Sequence, residues 1–272
     1  MNVKTKHKLA AVGLIGTGFY LGACGLLYLM QRKLIYMAEK QAQGELPPEF
    51  KRWEDNGEFL GYKREQGRAD ALVFLHGSAH NAREWCWAVQ HFPGDVYVVE
   101  FPDYGEKAET TTEFSLCEAG LRGFDSVPPH PGTTLLCGQS LGSAVAAAVL
   151  ETREFKVQGV VLITPFTCLQ AVAKWHYPMF PVVWLLKDRL AVLPAWEKFT
   201  GPAWALFAGK DEMIPVGTEE QFRKAARPGK HVRVFPGRRH SQILLRAEDW
   251  QQFLSPAPRE ELVRAGCQEA VA

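Results

Sequence analysis

Short apolar runs alternate with segments of helical periodicity along most of the chain after a polar, proline-containing linker at residues 39–50. This alternation is typical of a mostly parallel sheet covered by helices on both faces. The predicted parallel strands are residues 71–75, 96–101, 133–137, 159–164, 203–208 and 232–235. The predicted helices are residues 81–91, 113–127, 141–153, 218–226 and 241–254. Residues 53–64 predict an antiparallel pair at the sheet edge.

Two segments interrupt or end this alternation. Residues 165–202 are rich in aromatic residues and prolines, which predicts a small helical cap over the carboxyl edge of the sheet. Residues 255–272 are a polar tail to which no role is assigned. The predicted domains are therefore an anchor at residues 1–32, an α/β domain at residues 33–254, and the tail.

The N-terminal anchor is predicted from an uncharged stretch at residues 9–30, which Arg32 and Lys33 close. About 20 apolar residues are enough to cross a bilayer as a helix, whereas a signal peptide has a shorter apolar segment. Two alternatives stay open: a lipoprotein processed at Cys24, and a cleaved, soluble product. Basic residues on both sides nearly balance the positive-inside count, and we expect the catalytic domain on the outer, extracytoplasmic side.

Charge and cysteine content exclude several other classes. The 272 residues include 31 lysines and arginines against 30 acidic residues, so no basic footprint predicts nucleic-acid binding. The five of the six cysteines that lie beyond the anchor have no Cys-x-x-Cys spacing and are interpreted mainly as small core residues. No His-Glu-x-x-His or cysteine-histidine cluster predicts a metal site, and we expect no cofactor.

The strongest chemical signal is the sequence Gly-Gln-Ser-Leu-Gly at residues 138–142. It follows a predicted strand and precedes an alanine-rich helix, which is the context of a sharp turn that presents a nucleophilic serine. Ser140 is therefore the candidate nucleophile. Leu141 is expected to supply one backbone N–H of an oxyanion hole, and Ser78, in the turn after the strand at residues 71–75, the other.

A serine hydroxyl needs a general base and a carboxylate that orients this base. Asp211 follows the predicted strand at residues 203–208, at the edge where ligands of parallel sheets bind. His240 follows the last predicted strand and is expected at the start of a helix. The weaker candidates for the acid are Asp188, Glu197, Glu212 and Asp249. Surface or packing roles are assigned to His91, His130, His176 and His231.

From about residue 33 to residue 254 the chain resembles the membrane-anchored α/β-hydrolases of the ABHD type. The motifs that carry the resemblance are Lys33-Leu34-Ile35-Tyr36, His76-Gly77, residues 138–142, Thr164-Pro165-Phe166-Thr167, Tyr177-Pro178 and residues 209–215. The chain departs from the family in having Ser78 in place of asparagine, no Arg-Gly pair near Pro102, and Ser143 in place of a glycine. The resemblance implies an α/β-hydrolase fold and hydrolysis of acyl esters or thioesters without a cofactor, on lipids or lipidated proteins.

The resulting hypothesis is a serine hydrolase that acts on apolar acyl chains near a membrane. The aromatic cap residues expected to bind substrate are Trp175, Tyr177, Phe180 and Trp184. Equally open is the interpretation that these side chains only pack the cap onto the core. The alternatives for the whole protein are a non-catalytic binding module on the same fold and an acyltransferase that uses the same three residues.

Overall fold

The computed structural model describes residues 3–38 and 45–254. The strands of its sheet are β1 (Lys51–Asp55), β2 (Glu58–Arg64), β3 (Ala71–Leu75), β4 (Asp95–Val99), β5 (Thr134–Gln139), β6 (Gly159–Ile163), β7 (Ala203–Ala208) and β8 (Lys230–Phe235). The α-helices are α1 (Val3–Tyr36), α2 (Ala82–Val89), α3 (Glu113–Asp125), α4 (Leu141–Arg153), α5 (Leu169–His176), α6 (Val182–Leu185), α7 (Leu193–Lys198), α8 (Thr218–Lys224) and α9 (Ala247–Leu254). A short 3-10 helix, Glu154–Lys156, follows α4.

One eight-stranded sheet has the order β1-β2-β4-β3-β5-β6-β7-β8. Strands β3 to β8 run parallel to one another, while β1 and β2 form an antiparallel pair that also pairs antiparallel with β4. Every residue of β3, β4 and β6 is buried, because helices cover both faces of the sheet. The predicted fold class, an α/β-hydrolase fold with a mostly parallel sheet, is confirmed.

The two faces of the sheet carry separate apolar cores. On one face, α3, α4, α7 and α8 contribute buried side chains such as Leu116, Val145, Trp196 and Phe222. On the other face, α2 and α9 cover the sheet with Cys86, Trp250 and Phe253 among their buried residues. The predicted cap comprises α5, α6 and α7. With the helices on both faces, the carboxyl ends of the parallel strands are left free for the loops that follow β5, β7 and β8.

The last helix differs from its prediction. It begins at Ala247 and not at residue 241, so His240 lies in a turn. Two local features accompany the start of α9 at Ala247. Gly237 adopts a left-handed φ of 80°, and the Asp249 carboxylate accepts a hydrogen bond from the amide of Arg246 at 2.9 Å, which fixes the helix start one turn before Asp249.

The N-terminal helix also differs from its expected extent. Helix α1 continues to Tyr36, so the expected boundary between residues 32 and 33 falls inside one helix. Its segment Val12–Tyr36 is long and apolar enough to cross a membrane, by length and composition. Its last turns pack on the catalytic domain, where Tyr36 is buried and its carbonyl accepts a hydrogen bond from the Tyr104 hydroxyl. The predicted tail at residues 255–272 lies outside the described residues.

Candidate active site

Ser140 occupies the turn between β5 and α4 in a strained conformation, with φ 49° and ψ −112°. Non-glycine residues rarely adopt a positive φ, and such strain is found at functional turns when the surroundings enforce it. Here, closely packed backbone atoms surround the turn. A Cβ on Gly138 would clash with the carbonyl of Gly142, and a Cβ on Gly142 would clash with the carbonyl of Leu75. The two glycines of the motif are therefore required by close packing of β3, β5 and α4.

The structure brings Ser140, His240 and Asp211 together in one hydrogen-bonded chain. His240 Nε2 lies 2.9 Å from Ser140 Oγ, and His240 Nδ1 lies 2.9 Å from Asp211 Oδ2 and 3.0 Å from Oδ1. With Nδ1 donating to the carboxylate, Nε2 is free to accept the proton of the serine hydroxyl. This arrangement has the geometry of a nucleophile, a general base and an orienting carboxylate.

The loops after β7 and β8 hold Asp211 and His240 in fixed positions relative to each other. The Asp211 carboxylate accepts hydrogen bonds from the amides of Met213 at 2.8 Å and Ile214 at 2.9 Å. The amide of Lys210 donates to the carbonyl of Arg238 at 2.8 Å, which ties the loop of Asp211 to the loop of His240. The orientation of Asp211 is thus set by backbone groups and does not depend on a flexible side chain.

A pocket of about 310 Å³ opens beside Ser140. Ser78 and Leu141, the two residues predicted to supply the oxyanion donors, both line it together with Ser140. Leu141 is the first residue of α4, where the amides of the first turn have no partner inside the helix. Both residues therefore lie beside Ser140, where backbone donors to a tetrahedral intermediate would be needed.

A buried carboxylate that the sequence analysis did not select supports the turn containing Ser78. Glu100, after β4, lies 3.1 Å from His76 Nε2, and its carboxylate accepts the amides of Ala82 and Phe101 at 3.2 Å. The other ring nitrogen of His76 lies 2.7 Å from the carbonyl of Gly77. These contacts make His76 a structural residue of the turn. The signal for Glu100 was a carboxylate at the end of an apolar strand.

The structure separates the four aromatic residues predicted to bind substrate. Tyr177 lines the pocket. Trp175, Phe180 and Trp184 are not among the residues that line it, which corrects their expected placement. The reason is the direction of the cap helices: α5 turns Val172, Ala173 and His176 toward the pocket and leaves Trp175 half exposed, while Trp184 on α6 is 86% exposed.

Helix α1 supplies part of the pocket wall, which the sequence analysis missed. Leu34, Ile35 and Met37 line the pocket beside Ser140. His176, interpreted from sequence as a surface or packing residue, also lines it, and its Nε2–H donates to the carbonyl of Met213 at 2.9 Å. The signal for Leu34 and Ile35 was the motif Lys33-Leu34-Ile35-Tyr36, and these two apolar side chains carry no reactive group that would mark them as pocket residues.

Within residues 3–38 and 45–254, no group of three or more His, Cys, Asp or Glu residues is placed to hold a metal ion. The groups beside Ser140 are suited to acyl transfer by a hydroxyl nucleophile.

Comparison with known proteins identifies relatives of the chain. The model of the alpha/beta hydrolase family matches residues 72–269. Two uncharacterized proteins of Mycobacterium tuberculosis are each 32% identical over 180 residues, which are 64% of this chain and 58% of theirs. The chain thus spans less than two thirds of the length of these curated relatives.

Solved structures with similar folds share less sequence with the chain. The Pyrococcus furiosus esterase Pf2001 has a TM-score of 0.57 and 17% identity, and the match covers 75% of this chain and 91% of that one. The protein TT1662 from Thermus thermophilus has a TM-score of 0.58 and 19% identity, covering 75% of this chain and 95% of the other. At these identities the likeness shows the fold.

Proposed function

The chain belongs to the alpha/beta hydrolase family, and from that premise we propose that it is a serine hydrolase that cleaves acyl esters or thioesters. The observation that supports this most is the hydrogen-bonded chain from Ser140 Oγ through His240 to Asp211. A serine, a histidine and an aspartate at these distances have the geometry of a catalytic triad, which recurs on unrelated folds.

In the proposed reaction Ser140 Oγ attacks the acyl carbonyl while His240 Nε2 takes the hydroxyl proton. The amides of Ser78 and Leu141 stabilise the oxyanion of the tetrahedral intermediate. His240 then gives its proton to the leaving alcohol or thiol, and an acyl ester remains on Ser140. Water, activated by His240, attacks this ester and releases the carboxylic acid. Asp211 stays ionised and stabilises the imidazolium in both steps.

A fluorophosphonate probe tests the proposal, because it reacts with an activated serine and with no resting one. The full chain in mild detergent is expected to be labelled, and Ser140→Ala is expected to abolish the labelling. Ser241→Ala is the matched control, because Ser241 is an exposed hydroxyl next to His240. A folded wild-type protein that resists the probe would overturn the proposal and favour a non-catalytic binding module.

We further propose that α1 holds the protein in a membrane. Its segment Val12–Tyr36 has the length, and along most of its surface the exposed apolar side chains, that a lipid environment would cover. The full chain is expected in the membrane fraction and resistant to extraction by carbonate. Cys24→Ser is expected to leave this distribution unchanged, whereas its release into the soluble fraction would indicate a lipoprotein.

A further inference from the structure

Helix α1 lies along the cap over about half of its length. The Tyr20 hydroxyl donates to the carbonyl of Met179 at 3.0 Å, and the Tyr20 ring stacks on Phe180 with 5.7 Å between centroids. Further along the helix, the Gln31 amide donates to the carbonyl of Leu185 and its oxygen accepts the amide of Lys187. These contacts span eleven residues of helix, or about 16 Å. The apolar segment Val12–Tyr36, which is long enough to cross a membrane, therefore also packs against the cap as one wall of the α/β domain.

A second apolar space, here called the crevice, lies between α1 and the cap helices α5 and α6. Its lining residues are Leu27, Gln31, Leu34, Ile35, Ala173, Tyr177, Val182, Leu185 and Leu186. Four of these also line the pocket beside Ser140: Leu34, Ile35, Ala173 and Tyr177. The crevice and the pocket are therefore neighbours that share a wall of four side chains, and together they extend from Ser140 to Leu27.

The chemistry of the crevice suits a hydrocarbon chain. Gln31 is the only residue with a polar side chain in its lining apart from Tyr177, and the Gln31 amide is already bonded to Tyr28, Leu185 and Lys187. The crevice measures about 60 Å³, so a chain can enter only if a shared side chain moves. Among the shared side chains, Leu34 is the least enclosed at 43% exposed, and it is therefore the one we expect to move.

The far end of the crevice lies along the apolar segment of α1 that is proposed to be in the membrane. Leu27 is in the middle of the segment Val12–Tyr36, and about 12 Å of helix separates it from Ile35 at the pocket. On the cap side, Met179 is 81% exposed and Trp184 86% exposed, next to α1. Large apolar side chains in this position would contact lipid together with α1. Trp184, a cap aromatic residue that does not line the pocket, would thus contact lipid beside α1.

We propose that the crevice between α1 and the cap is the acyl-chain subsite, and that the substrate enters it sideways from the bilayer. The acyl chain of a membrane-borne ester or thioester would run from its carbonyl at Ser140 past Ala173 toward Leu27. This inference rests on the proposed serine hydrolase activity and specifies its substrate class as amphiphiles that reside in the membrane. The anchor is then part of the substrate site and more than a tether.

Filling the far end of the crevice tests this subsite. Leu27→Trp is compared with Leu29→Trp, its matched control, because Leu29 lies two residues away on α1, is 76% exposed and does not line the crevice. The measurement is kcat/KM of the full chain in detergent for 4-nitrophenyl decanoate and for the acetate. We expect the decanoate-to-acetate ratio to fall about tenfold or more in Leu27→Trp, because several methylenes lose their buried surface. The ratio of the control should stay at the wild-type value.

A second pair of variants covers the case in which Leu27→Trp does not fold. Ala173→Leu narrows the shared wall between the pocket and the crevice, whereas Ala171→Leu makes the same change on the same helix outside both linings. The ratio should fall only in Ala173→Leu. Equal ratios within both pairs would overturn the subsite. Fluorophosphonate labelling of each variant separates this result from failure of the proposed function, since it reports Ser140 without an acyl chain.

Discussion

Arg32 on α1 and Asp188 in the cap form a two-pronged ion pair, in which Nε and Nη2 of the guanidinium donate to the two carboxylate oxygens at 2.9 and 3.0 Å. The Asp188 side chain is 4% exposed and that of Arg32 38%. Asp188 also accepts the amide of Glu113 at 3.3 Å, at the start of α3. One buried carboxylate therefore joins the N-terminal helix, the cap and the catalytic core.

Removing the Arg32 guanidinium should destabilise the contact between α1, the cap and α3. Arg32→Met leaves the buried carboxylate of Asp188 without its main partner, and we expect a loss of about 2 kcal/mol in the free energy of unfolding. For a protein of this size the loss corresponds to a decrease of about 5 °C in Tm. Thermal unfolding in one detergent measures it, with Lys33→Met as the control, since Lys33 is exposed on the same turn. Equal Tm values for the two variants would show that the pair does not stabilise this contact.

The same ion pair predicts a dependence of stability on pH. Burial raises the pKa of Asp188, but Arg32, the neighbouring Tyr36 hydroxyl and the Glu113 amide together outweigh it, so that the pKa lies below its ordinary value of 3.8. A carboxyl whose pKa is lowered on folding stabilises the fold above its ordinary pKa, and this stabilisation is lost as the pH falls through the folded pKa. The Tm of Asp188→Asn should lie below that of wild type at pH 7.

The gap in Tm between wild type and Asp188→Asn should therefore stay constant between pH 7 and pH 5 and close below about pH 4. Other titrating groups are common to both proteins and cancel in the difference. A gap that persisted unchanged well below pH 4 would mean that the ionised form of Asp188 is not what stabilises the fold.

Asp211→Asn should abolish most of the hydrolysis while the protein still folds. The asparagine oxygen can accept the amides of Met213 and Ile214, but its NH₂ group donates to His240 Nδ1. The ring then carries its proton on Nε2, facing Ser140, and cannot take the serine proton. We expect kcat to fall by about 10³–10⁴-fold. Glu212→Gln is the control and should lose less than about tenfold; comparable losses in both variants would contradict the assignment of Asp211.

Gly142→Ala should disrupt the nucleophile turn. The added Cβ would clash with the carbonyl of Leu75, a backbone atom of the central sheet that has little freedom to move. We expect a loss of about 3 kcal/mol or more in the free energy of unfolding, together with loss of fluorophosphonate labelling. Gly22→Ala is the matched helical control, since a Cβ there meets nothing within 4 Å, and it should be neutral or slightly stabilising. Normal labelling of Gly142→Ala would refute the requirement for glycine.

The amino-acid sequence by itself determined the sheet, its parallel strands and the positions of Ser140, Asp211 and His240. Each of these depends on a local pattern: a continuous apolar run marks a buried strand, and a polar residue in the loop that follows it lies near the carboxyl edge. The first residue of the last helix, α9, could not be predicted from such a pattern. The amide of Arg246 donates to Asp249 where α9 begins, and the helical periodicity of the segment does not reveal this bond.

Only the tertiary structure decided what α1 and the cap aromatics do. An apolar helix of this length has the same hydropathy whether it is a free tether or one wall of a pocket, and Arg32 finds Asp188 only because folding brings together residues 156 positions apart. The aromatic residues of the cap are equally ambiguous, since a run of apolar side chains does not state which of them face inward. That choice followed from the packing of α5 and α6 against α1, which put Tyr177 in the pocket and Trp184 outside it.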